Sequence, residues 1–188
     1  MYIALEGIDT AGKSTQVARL KEVFKDAVFT FEPGATPLGK RIRDILLNTE
    51  IISSKAEMLL FLADRAEHFA SVIAPNLDKL ILSDRSLISG IAYARDFSME
   101  MLESYNAFVL ENILPNKAIL LELDKQMLEY RLNQKGKDKI EQRGIAYLLE
   151  LQERLKGVME FLKIESLVIN AGLPQDSITK QIIEFIQS

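Results

Sequence analysis

The sequence predicts an α/β fold in which a five-stranded parallel sheet carries helices on both faces. Five short apolar segments with strand character occupy residues 2–5, 27–31, 80–83, 118–123 and 167–169. Longer segments, whose apolar residues recur at helical spacing, lie between them. Because the strand segments are largely apolar and alternate with helices, a parallel sheet between two helical layers is the arrangement that buries them.

The helical segments follow the strands in chain order. Helices are expected to begin near Lys13, to cover residues 39–47, about 58–75, 99–114, 125–133 and 140–162, and to resume after Pro174. The apolar faces of the first and last helices are formed by Val17, Leu20, Val23 and Phe24, and by Ile178, Ile182, Ile183 and Ile186. In such folds ligands bind beyond the carboxyl ends of the strands, and the motifs described next lie at these ends.

The composition predicts one soluble domain that spans residues 1–188. A chain of 188 residues, 48% of them hydrophobic, can bury a full core. No apolar segment approaches the roughly 20 residues of a membrane span, and no signal peptide is expected. The absence of cysteine excludes disulfides and thiolate sites and fits a cytoplasmic protein. A net charge of −4 argues against nucleic acid as the main partner and favours small nucleotides.

A glycine-rich loop with the pattern G-x-x-x-x-G-K-S lies between the first strand and the first helix. Glycines let backbone N–H groups point at phosphate oxygens, and the helix adds its positive dipole end. Lys13 can reach the terminal phosphates, and Ser14 can ligate Mg²⁺. An ordinary glycine-rich turn is the alternative, but this order of elements favours a nucleoside triphosphate site, a P-loop. Its residues are Gly7, Ile8, Asp9, Thr10, Ala11, Gly12, Lys13, Ser14 and Thr15.

The third strand ends in Asp84 and Arg85. A carboxylate at a strand end beside a P-loop commonly supports Mg²⁺, and an arginine can present a bidentate fork to a second phosphate. A structural ion pair is the alternative interpretation. A switch GTPase would continue D-x-x-G, whereas this chain continues with Ser86 and Leu87. The motif therefore favours a phosphotransferase that has a second phosphorylated substrate.

The second strand leads into residues 31–39, a loop rich in glycine and proline. Arg41 and Arg43 follow in the first turns of the next helix, where the helix dipole would favour acidic residues. A plain turn is the alternative for the loop. The two arginines are better explained by an anion that they face.

Phe61 and Arg65 lie four residues apart and share one face of the third helix. An aromatic ring and a guanidinium placed together can stack on a base and hydrogen-bond its edge. From the residues alone the simpler interpretation is favoured, in which Phe61 belongs to the core and Arg65 pairs with Asp64 or Glu57.

Two polar features remain. The basic segment 130–144 separates two helices and could close over the triphosphate as a lid of about residues 131–144, although solvated surface is the usual role of such segments. His68 is the only histidine, so it cannot build a metal site with other histidines or with cysteines. We expect His68 at the surface or at an interface.

Together these motifs resemble the thymidylate kinase family, P-loop enzymes that phosphorylate dTMP to dTDP with ATP. The P-loop alone is unspecific, but the five matching segments span nearly the whole chain in the family's order. They are residues 5–16, residues 32–34 with Gly39, Ile42 and Arg43, residues 60–68, Asp84 and Arg85 with Ser89, Ala92 and Tyr93, and residues 138–141. The resemblance implies a three-layer P-loop kinase fold and a homodimer that associates through the long helix containing residues 58–69.

The resemblance also implies how the acceptor nucleotide is bound. Phe61 stacks on thymine, Arg65 donates to its O4 atom, and Ser89 lies where the family reads the base edge. Tyr93 packs under the deoxyribose and excludes a ribose 2′-hydroxyl, while Asp9 takes the 3′-hydroxyl. The implied acceptor site comprises Asp9, Pro33, Arg43, Phe61, Arg65, Arg85, Ser89, Gly90 and Tyr93.

For the reacting phosphates, the resemblance implies that Arg43 and Arg85 hold the monophosphate. Ser14, Asp84 and Glu6 are implied to support the magnesium ion. No covalent intermediate is needed, because aligned phosphates and neutralised charge are sufficient for phosphoryl transfer. The residues implied in catalysis are Lys13, Asp9, Arg85, Lys135 and Arg131.

Three positions depart from the family pattern. Phe31 stands where the family often has arginine, and Thr10 stands where one branch has a P-loop arginine. The lid would then supply the transition-state cation, with Lys135 as the first choice and Arg131 and Lys137 as alternatives. Gly90 stands where other members have a base-reading side chain, which leaves Ser89 to carry that role alone or with water.

Two rival functions stay open at this level. Another nucleoside monophosphate kinase or a deoxynucleoside kinase would share the scaffold and differ only in its base contacts. An ATP-switched binding protein without transferase activity would need Lys13 but no second substrate pocket. Truncation of Arg65 or Arg85 distinguishes these classes, since only a kinase would lose its use of the monophosphate.

Overall fold

The computed structural model describes residues 1–134 and 144–188 and confirms the five-stranded parallel sheet. The strands are β1 (Tyr2–Glu6), β2 (Val28–Phe31), β3 (Ile81–Asp84), β4 (Lys117–Glu122) and β5 (Glu165–Asn170). They lie in the order β2-β3-β1-β4-β5, and each neighbouring pair is parallel. β1 is central, and all five of its residues are buried, which requires cover on both faces of the sheet.

The described residues form eight α-helices, and none of these is long and apolar enough to cross a membrane. They are α1 (Lys13–Val23), α2 (Pro37–Asn48), α3 (Ser54–His68), α4 (Leu87–Tyr93), α5 (Met99–Val109), α6 (Lys125–Gln134), α7 (Ile145–Phe161) and α8 (Gln175–Gln187). A π-helical turn (Phe69–Ile73) and a 3₁₀ turn (Ala74–Asn76) continue α3 toward β3.

The sequence pattern missed one helix and misplaced several ends. Five of the seven residues of α4 are buried, so this helix has no polar face that would mark its period. α3 begins earlier than expected, because Ser53 caps it by accepting from the Ala56 amide at 3.3 Å. α5 ends at Val109 rather than at residue 114. The predicted start of the next-to-last helix, residues 140–143, lies outside the described residues.

The carboxyl ends of β1, β3 and β2 are joined side by side, and this edge carries the site. In the ladder, Leu5 lies opposite Asp84. The Arg85 amide donates to the Leu5 carbonyl at 2.9 Å, and the Glu32 amide donates to the Asp84 carbonyl at 3.0 Å. Loops that leave these three strands therefore begin next to one another.

Candidate functional site

The loop after β1 has the backbone that its glycines allow. Gly7 has a φ of +150°, and a Cβ there would lie 2.9 Å from the Leu121 carbonyl oxygen, so no side chain fits. Gly12 has a φ of +100° and directly precedes α1, which begins at Lys13. The loop thus wraps closely against β4 and ends at a helix N-terminus, as an anion site requires.

Lys13 is folded back onto the loop that carries it. Its Nζ donates to the carbonyls of Gly7 at 2.9 Å and Ile8 at 3.3 Å. The side chain is buried, and burial together with the nearby Arg85 cation lowers its pKa to about 8. A phosphate oxygen, which carries negative charge, would be a stronger acceptor for this ammonium than the two neutral carbonyls.

Asp84 and Ser14 are the described groups best suited to a magnesium ion. Oδ1 of Asp84 is buried, has no hydrogen-bond partner among the described residues and lies 3.9 Å from Lys13 Nζ. Ser14 lies exposed in the first turn of α1. Carboxylate and hydroxyl oxygens are ligands that Mg²⁺ accepts, with phosphate and water completing its shell. These residues fit the ion that the P-loop implies.

Glu6, at the end of β1, is buried beneath the start of α4. Its Oε1 accepts from the Ser86 hydroxyl at 2.7 Å, and its Oε2 accepts from the Ser89 hydroxyl. Burial raises the pKa of this carboxyl. Because Ser86 also caps α4 by accepting from the Ile88 amide, Glu6 fixes the position of that helix. Its predicted support of the magnesium shell stays a prediction, since both oxygens already accept hydrogen bonds from serines.

Arg85 connects the P-loop to α4. Its Nη2 donates to Asp9 Oδ1 at 2.7 Å, and its Nη1 donates to the Ser89 hydroxyl at 3.1 Å. The guanidinium lies 5.4 Å from the centre of the Tyr93 ring. The Tyr93 hydroxyl is buried without a hydrogen-bond partner among the described residues, and burial raises its pKa to about 12. Four residues predicted for the acceptor site are therefore in one contact group.

The loop after β2 is held from both sides. Arg43 Nη1 donates to the Pro33 carbonyl at 2.7 Å, while the side chain itself is exposed. The Asp64 carboxylate of α3 accepts from the Gly34 amide at 3.0 Å, and burial raises the pKa of this carboxyl. Thr36 starts α2 by accepting from the Gly39 amide at 2.9 Å. The loop thus presents Arg43, with a free face toward solvent, at the edge that carries the site.

Arg65 is buried and pairs with none of the partners expected from the sequence. Its Nε donates to Glu32 Oε2 at 2.8 Å, its Nη1 to Asn106 Oδ1 at 2.8 Å, and its Nη2 to the Ser86 carbonyl at 3.2 Å. The expected pairing with Asp64 or Glu57 is wrong for this residue. Phe61 is half-buried one turn earlier on α3.

His68 is fully buried, so the expectation of a surface or interface position is wrong. Its Nδ1 lies 2.9 Å from Glu32 Oε1, and its Nε2 lies 2.6 Å from the Thr30 hydroxyl. Burial opposes the charge on Glu32, but Arg65 and His68 outweigh it and hold the pKa of this carboxyl below its ordinary value. The last turn of α3 packs over the end of β2, which encloses the histidine.

The departure at Gly90 has a physical reason. A Cβ at this position would lie 2.8 Å from both terminal nitrogens of Arg65. The guanidinium therefore occupies the space in which a side chain would stand. Glu32 and Asn106, which hold this guanidinium, were not predicted as site residues. For Asn106 a sequence signal existed, since this polar residue lies one turn after Leu102 on the buried face of α5.

A cavity lies beside the P-loop. It has a volume of about 500 Å³ and is lined by Asp9, Thr10, Gly12, Lys13, Ser14, Thr15, Tyr130 and Arg131. Arg131 donates to the Thr10 carbonyl at 2.8 Å and to the Ala171 carbonyl at 2.6 Å. The predicted cation Arg131 thus lies at the P-loop. Lys135 and Lys137, with most of the predicted lid, lie outside the described residues.

The chain is similar to known proteins over its whole length. A family model described as thymidylate kinase matches residues 5–182. The thymidylate kinase of Campylobacter jejuni subsp. doylei is 52% identical, with 100% of both chains covered. The thymidylate kinase of Wolinella succinogenes is 55% identical over 97% of this chain and 96% of that protein. The crystal structure of thymidylate kinase from Ehrlichia chaffeensis, 25% identical, matches with a TM-score of 0.75 over 99% of this chain and 98% of that chain.

Proposed function

This chain belongs to the thymidylate kinase family, and we propose that it transfers a phosphoryl group from ATP to dTMP, giving dTDP and ADP for dTTP supply in DNA synthesis. The observation that supports this most directly is the hydrogen-bonded ion pair between Arg85 and Asp9. It joins the triphosphate loop to a second cationic group at the end of β3. Two phosphates can therefore be brought together at one edge of the sheet.

The donor half of the reaction is assigned to the P-loop. Its amides, from Gly7 to Thr15, cradle the triphosphate, and Lys13 turns from its loop carbonyls to the terminal phosphates. Ser14 and Asp84 would hold Mg²⁺, with Glu6 behind them. When bound, the ion supplies positive charge that neutralises the phosphate oxygens. Arg131, beside Thr10, and Lys135 are the candidate cations for charge that develops on the transferred group.

The acceptor half is assigned to the contact group around Arg85. Arg43 and Arg85 hold the dTMP phosphate, and Asp9 takes the 3′-hydroxyl. Pro33 and Gly90 line the same acceptor site. The protein's task is to hold both nucleotides in line and to exclude water, since phosphoryl transfer needs little covalent help from the protein.

The base and sugar are assigned to α3 and α4. Phe61 stacks on thymine, Arg65 donates to its O4 atom, and Ser89 reads the edge of the base. Tyr93 lies beneath the deoxyribose, where its half-buried ring would collide with a ribose 2′-hydroxyl. The half-buried position of Phe61, one turn from Arg65, supports this assignment.

The experiment that tests the function is an ADP-release assay with ATP and dTMP, dUMP, dCMP, dGMP or AMP as acceptor. We expect clear preference for dTMP. Preference for another monophosphate would favour a different nucleotide kinase. ATP binding without acceptor-dependent ADP release would favour an ATP-switched binding protein.

We also propose that the protein acts as a cytoplasmic homodimer, with no nucleic-acid or membrane partner. Support comes from α3, where Ala56, Leu59, Ala63 and Ala66 recur at helical spacing on one face. Leu59 is 56% exposed, and the alanines of this stripe would let a second helix approach closely. Sedimentation equilibrium should give a dimer for the wild type and a monomer for Leu59→Asp. A monomeric wild type would refute the proposal.

A further inference from the structure

Arg65 is surrounded by protein groups that fix its direction. A guanidinium carries five N–H groups. Nε donates to Glu32, Nη1 to Asn106, and Nη2 to the Ser86 carbonyl, while Nη2 also lies 2.8 Å from the same Glu32 oxygen. Among the described residues these contacts engage both Nη2 hydrogens, the Nε hydrogen and one Nη1 hydrogen. The second Nη1 hydrogen is left for a ligand.

The carboxylate of Glu32 is itself fixed in orientation by contacts to both of its oxygens. One of its oxygens receives Arg65, and the other lies 2.9 Å from His68 Nδ1. His68 is fixed in turn by the Thr30 hydroxyl at its other ring nitrogen. All four side chains are buried, so no water competes for these positions. A continuous polar chain therefore runs from β2 through the end of α3 to the guanidinium.

We propose that Glu32 and His68 form a positioning pair that fixes Arg65 for selection of the acceptor base. This inference rests on the proposed function and adds two residues that do not touch the substrate. A fixed N–H group can donate to a carbonyl oxygen such as O4 of thymine. Cytosine has an amino group at this position, so two hydrogen-bond donors would face each other and cytosine would bind more weakly. A guanidinium free to rotate would lose this discrimination.

The first test is a double-mutant cycle between Glu32→Gln and Arg65→Met. In the wild-type background Glu32→Gln should raise KM for dTMP by about tenfold and lower the preference for dTMP over dCMP, with KM for ATP changed by less than about twofold. In the Arg65→Met background, Glu32→Gln should change neither KM for dTMP nor the preference for dTMP over dCMP. Equal effects in both backgrounds would overturn the inference, because Glu32 would then act without Arg65.

A second series does not depend on the folding of the Glu32 variant. His68→Asn keeps an N–H donor near the Nδ1 position, whereas His68→Leu keeps bulk and removes the donor. We expect His68→Leu to raise KM for dTMP and His68→Asn to restore it to within about threefold of the wild type. Equal kinetics for the two variants would contradict a positioning role.

Lys117→Met is the matched control for loss of a buried charged side chain. Lys117 lies at the start of β4, at the amino ends of the strands and therefore away from the candidate site. Its Nζ lies 3.3 Å from Glu165 Oε1. This variant should lower the melting temperature and leave the dTMP to dCMP preference unchanged. If it shifts the preference as Glu32→Gln does, general loosening of the fold is the cause. A wild type without dTMP kinase activity would refute the proposed function instead.

Discussion

The Lys13 ammonium lies 3.9 Å from Oδ1 of Asp84 across the carboxyl ends of β1 and β3. This distance is too long for a hydrogen bond, so each group keeps the capacity to bind a further partner. Lys13 uses two of its three donors on the carbonyls of its own loop, and Asp84 Oδ1 has no hydrogen-bond partner among the described residues. In the function proposed above, the triphosphate would accept from the Lys13 ammonium, and Asp84 would support the Mg²⁺ ion that accompanies it.

Lys13→Met should abolish most of the activity without loss of the fold. We expect kcat to fall by about 100-fold or more, because a cation at the transferred phosphate is removed. The melting temperature should hold or rise, since the folded protein no longer buries an ammonium. Steady-state kinetics and thermal denaturation measure both effects. Lys21→Met, an exposed lysine of the same helix, serves as control. A rate within about threefold of the wild type would contradict the assigned role.

The pKa of Lys13 predicts a pH dependence for ATP binding. Burial and Arg85 lower this pKa to about 8, so the ammonium is lost as pH rises through that value. The affinity for Mg-ATP should therefore weaken between about pH 7 and pH 9. The sign for stability is opposite: above pH 8 the unfolded lysine binds more protons than the folded one, so this group's contribution to stability increases with pH. Calorimetric titrations at three pH values should show a slope that Lys13→Met lacks. Parallel profiles would refute the assignment.

The loop and strand end that we propose for phosphate binding were predictable because their sequence signals are local. The glycine loop, Lys13 and the strand end at Asp84 follow from short patterns beside recognisable strands. The network around Arg65 was not predictable in this way, because its partners Glu32 and Asn106 lie 33 and 41 positions away in the chain. The family resemblance placed Arg65 near a base, but only packing of α3 against β2 and α5 shows which groups hold it. The short helix α4 was missed for a related reason, since five of its seven residues are buried and it has no polar face that would mark its period.

Tyr93→Phe should separate the role of the ring from that of the hydroxyl. The hydroxyl is buried and has no hydrogen-bond partner among the described residues, so its removal should not lower the free energy of unfolding. If the ring excludes the 2′-hydroxyl, the preference for dTMP over its ribose counterpart should persist in Tyr93→Phe and be lost in Tyr93→Ala. Acceptor competition assays with both nucleotides measure this. Loss of the preference in Tyr93→Phe would assign the selection to the hydroxyl.

Gly90→Ala should weaken dTMP binding by displacing Arg65. The added Cβ would meet both terminal nitrogens of the guanidinium at 2.8 Å, so the side chain must leave the position in which Asn106 and the Ser86 carbonyl hold it. We expect KM for dTMP to rise by about tenfold while KM for ATP stays constant. Gly157→Ala is the matched control, because nothing lies within 4 Å of a Cβ added in this helix. That change should keep the kinetics and stabilise α7 by about 0.5–1 kcal/mol. An unchanged KM in Gly90→Ala would mean that Arg65 can read the base from a displaced position, and the fixed geometry would then not be the source of selectivity.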